Sequence, residues 1–235
     1  MRKIIIFSLL ILFLILSFSL LRKKAYKEKI ENDFLGESIT YDVKFSRLSL
    51  GKAKFTYLMK DNLDGKPVNV ITFETRVGRF TDQERIYCDP NNFLPLRVER
   101  NVSTWPTPEK ITENYDQDNF TVAITKLKGN KKEESLIKKG GKIHNAILLP
   151  YHLRHNPKLN VGWTFIAELP TQQFKIELIA IEDVNVPAGT FKCYHFTSVP
   201  KKFEIWVTTD ERRIPVKIKG MGNFGYILVM KEYKR

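Results

Sequence analysis

A chain of 235 residues, 43% hydrophobic and 12% aromatic, is long enough to bury one large core and too apolar to be intrinsically disordered. Its net charge of +13 gathers at the start: residues 1–30 carry seven Lys/Arg and one Glu, which leaves the rest only +7. That mild excess, scattered through loops such as 126–132 without a recognition motif, argues against a nucleic-acid-binding module.

Met1-Arg2-Lys3 precedes an apolar run, Ile4 to Leu21, broken only by Ser8, Ser17 and Ser19. Two readings fit: a signal peptide with an apolar region Ile4 to Leu16 and a small-x-small site at Ser17-Phe18-Ser19, or an uncleaved membrane helix. The basic residues just past Ser19 favour the anchor, and no cysteine follows that would mark a lipoprotein. Five basic residues after the run against two before it would, by the positive-inside rule alone, keep the body in the cytoplasm. Residues 22–35 are charged and aperiodic, a linker. The expected organisation is therefore 1–21 signal anchor or signal peptide, 22–35 linker and 36–235 a single β-rich domain.

From Gly36 the pattern has period two. Ile39, Tyr41, Val43 and Phe45 alternate with Ser38, Thr40, Asp42 and Lys44, and after Leu50-Gly51 a second run sets Ala53, Phe55, Tyr57 and Met59 opposite Lys52, Lys54 and Thr56. This is a hairpin with one apolar face. Strands are expected next at 68–77, 86–88, 96–102 (Leu96 and Val98 on one face, Arg97 and Glu99 on the other), 111–115 and 120–127. Between Gly140 and Asn160 the spacing turns helical through Ile143, Ile147, Leu148, Tyr151 and His155. Asn145 is the expected N-cap, Pro150 delays or kinks the regular part, and Asn156-Pro157 ends it. Strands resume around Trp163, Phe174 and Tyr226, and through 186–218, where Val186-Pro187-Ala188-Gly189 has the chemistry of a tight turn. That last stretch is expected to be where the sheet closes. The fold class is mainly β: an antiparallel curved sheet, barrel or two-layer sandwich of about ten to twelve strands with one short helix, preceded by an N-terminal membrane helix.

The opening Gly36-Glu37-Ser38-Ile39-Thr40-Tyr41-Asp42-Val43 with Gly51, the central Tyr151-His152-Leu153-Arg154 before Gly162, and the closing Val186-Pro187-Ala188-Gly189-Thr190-Phe191-Lys192-Cys193 with Ile205-Trp206-Val207 and Arg213-Ile214-Pro215-Val216 carry a resemblance. In order and spacing they resemble the exported bacterial proteins of the domain-of-unknown-function 3108 family, over roughly residues 36–230. The resemblance implies an exported β-rich fold of the cell envelope and brings no catalytic residues with it. It sets the expected location: anchored in the bacterial inner membrane with the domain outside the cytoplasm, or free in the periplasm if cleaved.

Cys88 and Cys193 are the candidates for one disulfide; the alternative is two buried free thiols. His152 and His155, one helical turn apart, could present two imidazoles to a metal, but no further ligand is near, and His144 and His195 are scattered, so no metal site or cofactor is expected. No nucleophile elbow and no phosphate-cradling glycine loop is present, so no catalytic residue is assigned and an enzyme is not expected. Sixteen Phe, nine Tyr and three Trp can fill a curved sheet or leave a slot for an acyl chain, and Trp105 near Pro106 and Pro108 is a candidate loop-tip contact. The leading expectation is a non-enzymatic envelope protein, tethered to the membrane through residues 4–21, that binds an amphiphilic ligand or a partner envelope protein on a concave β surface. The alternatives are a structural accessory subunit of an envelope assembly and a hydrolase with an unrecognised site.

Overall fold

The computed structural model describes residues 34–46, 48–103, 106–154, 156, 158–221 and 225–235. The membrane segment 1–21, most of the linker, Trp105 and His155 lie outside the described residues, and no described helix is long and apolar enough to cross a membrane.

Among the described residues fourteen strands form one sheet. They are β1 (Ser38–Phe45), β2 (Leu48–Leu63), β3 (Lys66–Val77), β4 (Phe80–Cys88), β5 (Pro95–Ser103), β6 (Glu109–Asp116), β7 (Thr121–Lys128), β8 (Lys131–Lys138), β9 (Thr164–Glu168), β10 (Gln173–Val186), β11 (Gly189–Val199), β12 (Phe203–Thr208), β13 (Pro215–Gly220) and β14 (Ile227–Lys234). The order is β8-β7-β6-β5-β4-β3-β2-β1-β14-β13-β12-β11-β10-β9, antiparallel throughout. Two meanders, β1 to β8 and β9 to β14, are thus joined along the β1–β14 ladder. The period-two reading holds in β1, where Ile39, Tyr41 and Val43 are buried and lie opposite Phe55, Ala53 and Gly51 of β2.

Two expectations need correction. The strand count exceeds ten to twelve because β8, whose first two residues fall in the expected loop 126–132, is a strand: it has a neighbour on one side only, and Lys131, Lys132, Glu133 and Glu134 are exposed there. Charge on an edge strand discourages pairing with another chain, so a polar sequence is what that position calls for. The stretch 186–218 is also not where the sheet closes. Pro187-Ala188 makes the two-residue β10–β11 turn, but β9 continues the sheet beyond β10 and remains an edge.

The helical segment follows the sequence closely. The Asn145 side chain accepts a hydrogen bond from Ile147 N, capping a 3₁₀ turn at Ala146–Leu148, and the α-helix α1 (Leu149–Arg154) begins one residue before Pro150, where a missing N–H does no harm. Tyr151 on α1 contacts Phe55, Tyr57 and Phe93, while Leu149 and Leu153 join the apolar cluster of Ile176, Leu178, Phe196, Ile205 and Val207. β2 and β10 are six strand positions apart, which in a flat sheet is about 29 Å. A single helix can touch both only because the sheet curls around it.

Glu37 and Arg154 anchor that arrangement. Arg154 Nη1 and Nη2 donate to the two oxygens of Glu37 at 2.5 and 2.6 Å, Nε donates to Arg212 O at 2.9 Å, and the two side chains are at most 1% exposed. Tyr41 completes the concave face by donating from its hydroxyl to Pro215 O at 2.6 Å.

Candidate ligand-binding cavity

At one end of the concave face the aromatic side chains border space instead of filling it. β1 and β2 pair up to Phe45↔Leu48 and β3 and β4 up to Val77↔Phe80, so both hairpin ends lie at the same end of the sheet, where β14 also begins. Between them is a cavity of about 620 Å³. Its apolar wall is Val43 and Phe45 of β1, Leu50 of β2, Phe73 and Val77 of β3, Phe80 of β4, Leu228 of β14, Tyr226 just before β14, and Ile147 of the 3₁₀ turn. Phe45 and Leu50 are each 46% exposed, so the apolar surface continues outward to the rim.

One part of the wall is charged. Asp82 and Glu84 of β4 have the same parity as fully buried Ile86, and Arg100 of β5 the same parity as buried Val98, so all three point inward. Arg100 donates to both oxygens of Asp82, at 2.8 Å from Nε and 2.5 Å from Nη2, and its Nε stands 3.5 Å from Glu84 Oε1. Burial pushes the Glu84 carboxyl up to about 7 despite the neighbouring Arg100, with Asp82 and Glu113 raising it further. The hydrogen bond to Asp82 holds the Arg100 guanidinium still more firmly protonated than usual. The Tyr115 hydroxyl donates to Glu113 on β6; burial first, and Glu113 second, push that phenol far up.

The residues singled out from sequence lie elsewhere. The structure holds Cys88 and Cys193 as free, buried thiols and not as the disulfide weighed for them. β4 and β11 are seven strand positions apart in the sheet. Each thiol sits by a backbone carbonyl, Asn69 O at 3.6 Å and Phe191 O at 3.4 Å, and burial pushes both thiols up, Cys193 to about 12, so neither is a ready nucleophile. His152 Nδ1 is 3.0 Å from Asn92 O, and its ring stands edge-on to that of His144, with centroids 5.4 Å apart. His195 is on the other face of β11, stacked on Trp206, with Nδ1 3.0 Å from Glu182. Among the described residues no three His, Cys, Asp or Glu stand where they could hold a metal.

Asp82, Glu84, Arg100 and Glu113 were missed from sequence. Their signal was present: 82, 84 and 86 are in one register, as are 98 and 100, and a strand begun at Ile86 instead of Phe80 hides it.

The model of a family described as protein of unknown function, DUF3108, matches residues 40–231. The chain belongs to this family. The matched DUF3108 residues include every residue that lines the cavity. No curated protein matches the chain. Two solved structures do. One is a β-barrel-like protein of domain of unknown function DUF1849 from Brucella abortus, 9% identical, with a TM-score of 0.50 over 84% of this chain and 96% of that one. The other is a Bacteroides fragilis protein with a YmcC-like fold, 13% identical, with a TM-score of 0.36 over 85% of this chain and 96% of that one. The Brucella likeness speaks for the fold alone: a strongly curved, barrel-like β sheet.

Proposed function

We propose that the DUF3108 domain is a non-enzymatic binding module of the bacterial cell envelope that holds an amphiphilic, lipid-like ligand in the cavity beneath the β1–β2 and β3–β4 hairpins. The observation that carries this reading is the cavity: about 620 Å³, inside the size range of small-molecule sites, with a mainly apolar wall, a charged group of Asp82, Glu84 and Arg100 on one part of it, and Lys44 and Thr75 elsewhere. A curved sheet ordinarily packs its concave face with side chains. Here α1 fills one part of that face and leaves the other open.

Mass spectrometry of molecules co-purifying with the full chain tests this. One amphiphile class should be enriched over a control protein carrying the same residues 1–35. Val77→Trp, which fills the cavity from β3, should cut that enrichment about tenfold or more while the thermal midpoint changes little. No enrichment over the control would overturn the reading. The location belongs to the same proposal: residues 4–21 tether the chain and the domain lies outside the cytoplasm, supported by the apolar run and by membership of a family whose resemblance implies export. A reporter active only outside the cytoplasm, fused after Arg235, should be active; silence would overturn the exported location and leave the cavity reading standing.

A further inference from the structure

The polar part of the cavity has a definite charge balance, and it bears on the head group of the ligand. Asp82 and Glu84 line that part with the Arg100 guanidinium, and Glu113, which is not a lining residue, adds a third negative charge near that guanidinium. Arg100 gives Asp82 both Nε and Nη2, at 2.8 and 2.5 Å, and turns Nε toward Glu84 at 3.5 Å. Its charge is thereby spread over groups the fold already supplies. Asp82 already holds Nε and Nη2, so an anionic head would be left the Nη1 side of this partly exposed cation and would have to sit beside the negative charge of Asp82 and Glu84. A cationic or hydrogen-donating head meets the opposite situation. Glu84, only 11% exposed, has an acceptor oxygen beside the apolar wall, and its carboxyl, held up to about 7 by burial, is a group that a new cation would favour in its ionised form. Glu113 does not line the cavity and already accepts from the Tyr115 hydroxyl, so the head group falls to Glu84. Lys44 also borders the cavity, but from β1, three strand positions away from β4 and about 14 Å along the sheet. Among the described lining residues it is the cation besides Arg100, and so the rival site for an anionic head group.

We infer that the cavity takes amphiphiles whose head is a protonated amine or a neutral hydrogen-bond donor, seated against Glu84 and Asp82, and that it rejects carboxylate and phosphate heads. This inference rests on the cavity reading above and narrows it to a ligand class.

Three probes with one tail and different heads decide it: dodecylammonium, dodecanol and dodecanoate, titrated below their micelle-forming concentrations against the full chain in nanodiscs at pH 8. Binding is read as the difference from the Val77→Trp variant, so that partition into the lipid disc cancels. Dodecylammonium should bind about tenfold or more tighter than dodecanoate, with dodecanol between them. In Glu84→Gln, which keeps the side chain's size, the ammonium should lose most of that advantage while dodecanol binding is held. Asp82→Asn should act in the same direction and serves if Glu84→Gln alters the fold by circular dichroism. Lys44→Met should leave the ranking unchanged. Dodecanoate binding as tightly as dodecylammonium would overturn the head-group inference while leaving the cavity reading intact, and if Lys44→Met then abolished dodecanoate binding, the head would sit at β1. No specific binding of any of the three would overturn both.

Discussion

Glu37 and Arg154 are 117 residues apart in sequence, yet each is nearly inaccessible to solvent. Taking either charge out of water alone costs several kcal/mol, and only the two-pronged contact, with the added bonds to Arg212 O and from the Tyr233 hydroxyl at 3.2 Å, offsets it. Removing one partner leaves the other buried and uncompensated. Arg154→Met should therefore lose about 3–5 kcal/mol of unfolding free energy in urea denaturation. The double variant Glu37→Leu, Arg154→Met should recover most of that, so that it costs less than either single variant and far less than their sum. A double variant as unstable as the sum of the singles would show that the pair contributes nothing beyond its parts. Both residues belong to the short motifs that carried the family resemblance, in Gly36-Glu37 and Leu153-Arg154. Sequence revealed each motif and not their pairing, because a contact between the residue just before β1 and the last residue of α1 leaves no periodic trace.

At the scale of elements, glycines separate two kinds of close approach. A Cβ on Gly51 would stand 1.9 Å from Arg76 O, a backbone atom of β3 held by the β2–β3 ladder, at the irregularity where β1 and β2 shift register beside Val43. A Cβ on Gly220 would meet the Tyr226 ring at 2.6 Å, but that ring is 47% exposed and can swing aside. Gly51→Ala should thus cost about 3 kcal/mol or more and Gly220→Ala much less, measured as denaturation midpoints. Equal costs would mean that the strand yields as readily as the ring. Tyr226 also borders the cavity, so Gly220→Ala should alter amphiphile binding more than it alters stability. The elements themselves were largely legible, since Ile39-Tyr41-Val43 and Ala53-Phe55-Tyr57 alternate cleanly and Asn145 and Pro150 mark the helix start. β8 and the charged half of β4 were not. An edge strand is selected for charge and a ligand cavity for polar groups facing inward, and each breaks the rule by which a strand is read.

At the scale of the whole molecule, the open edge of the sheet is held by the segment between β8 and α1 and not by strand pairing. His144 N donates to Glu168 O at 2.6 Å, and Glu168 N donates to His144 Nδ1 at 3.2 Å, so the ring stands in for a strand carbonyl along β9. The Gln117 side chain clamps the same segment, donating to Pro95 O and Ile143 O and accepting from Ile143 N. Accepting at Nδ1 requires a neutral imidazole, and burial, then His152, hold the His144 pKa down to about 4. With an ordinary value of 6.5, the unfolded chain takes up this proton first, so stability falls as pH drops from about 6.5 toward 4. Glu84 acts in the opposite sense. Its carboxyl, raised from 4.5 to about 7, ionises later in the folded chain, so stability falls as pH rises through that interval. Each shift is worth at most about 3 kcal/mol, and the two windows overlap, so between pH 4.5 and 6.5 they largely cancel. Single variants should uncover them. Relative to the parent chain, Glu84→Gln should gain stability between pH 5 and 8, while His144→Asn should gain it between pH 6.5 and 4, both read as differences in urea midpoint so that all other titrations cancel. Amide exchange at Thr164–Glu168 distinguishes the closure from a merely buried ring: in His144→Asn these amides should exchange faster at every pH, because the contact that covers β9 is altered along with the charge. Unchanged protection there would place the stabilising role of His144 in its packing against Phe165 and His152, whose rings lie 5.1 and 5.4 Å away.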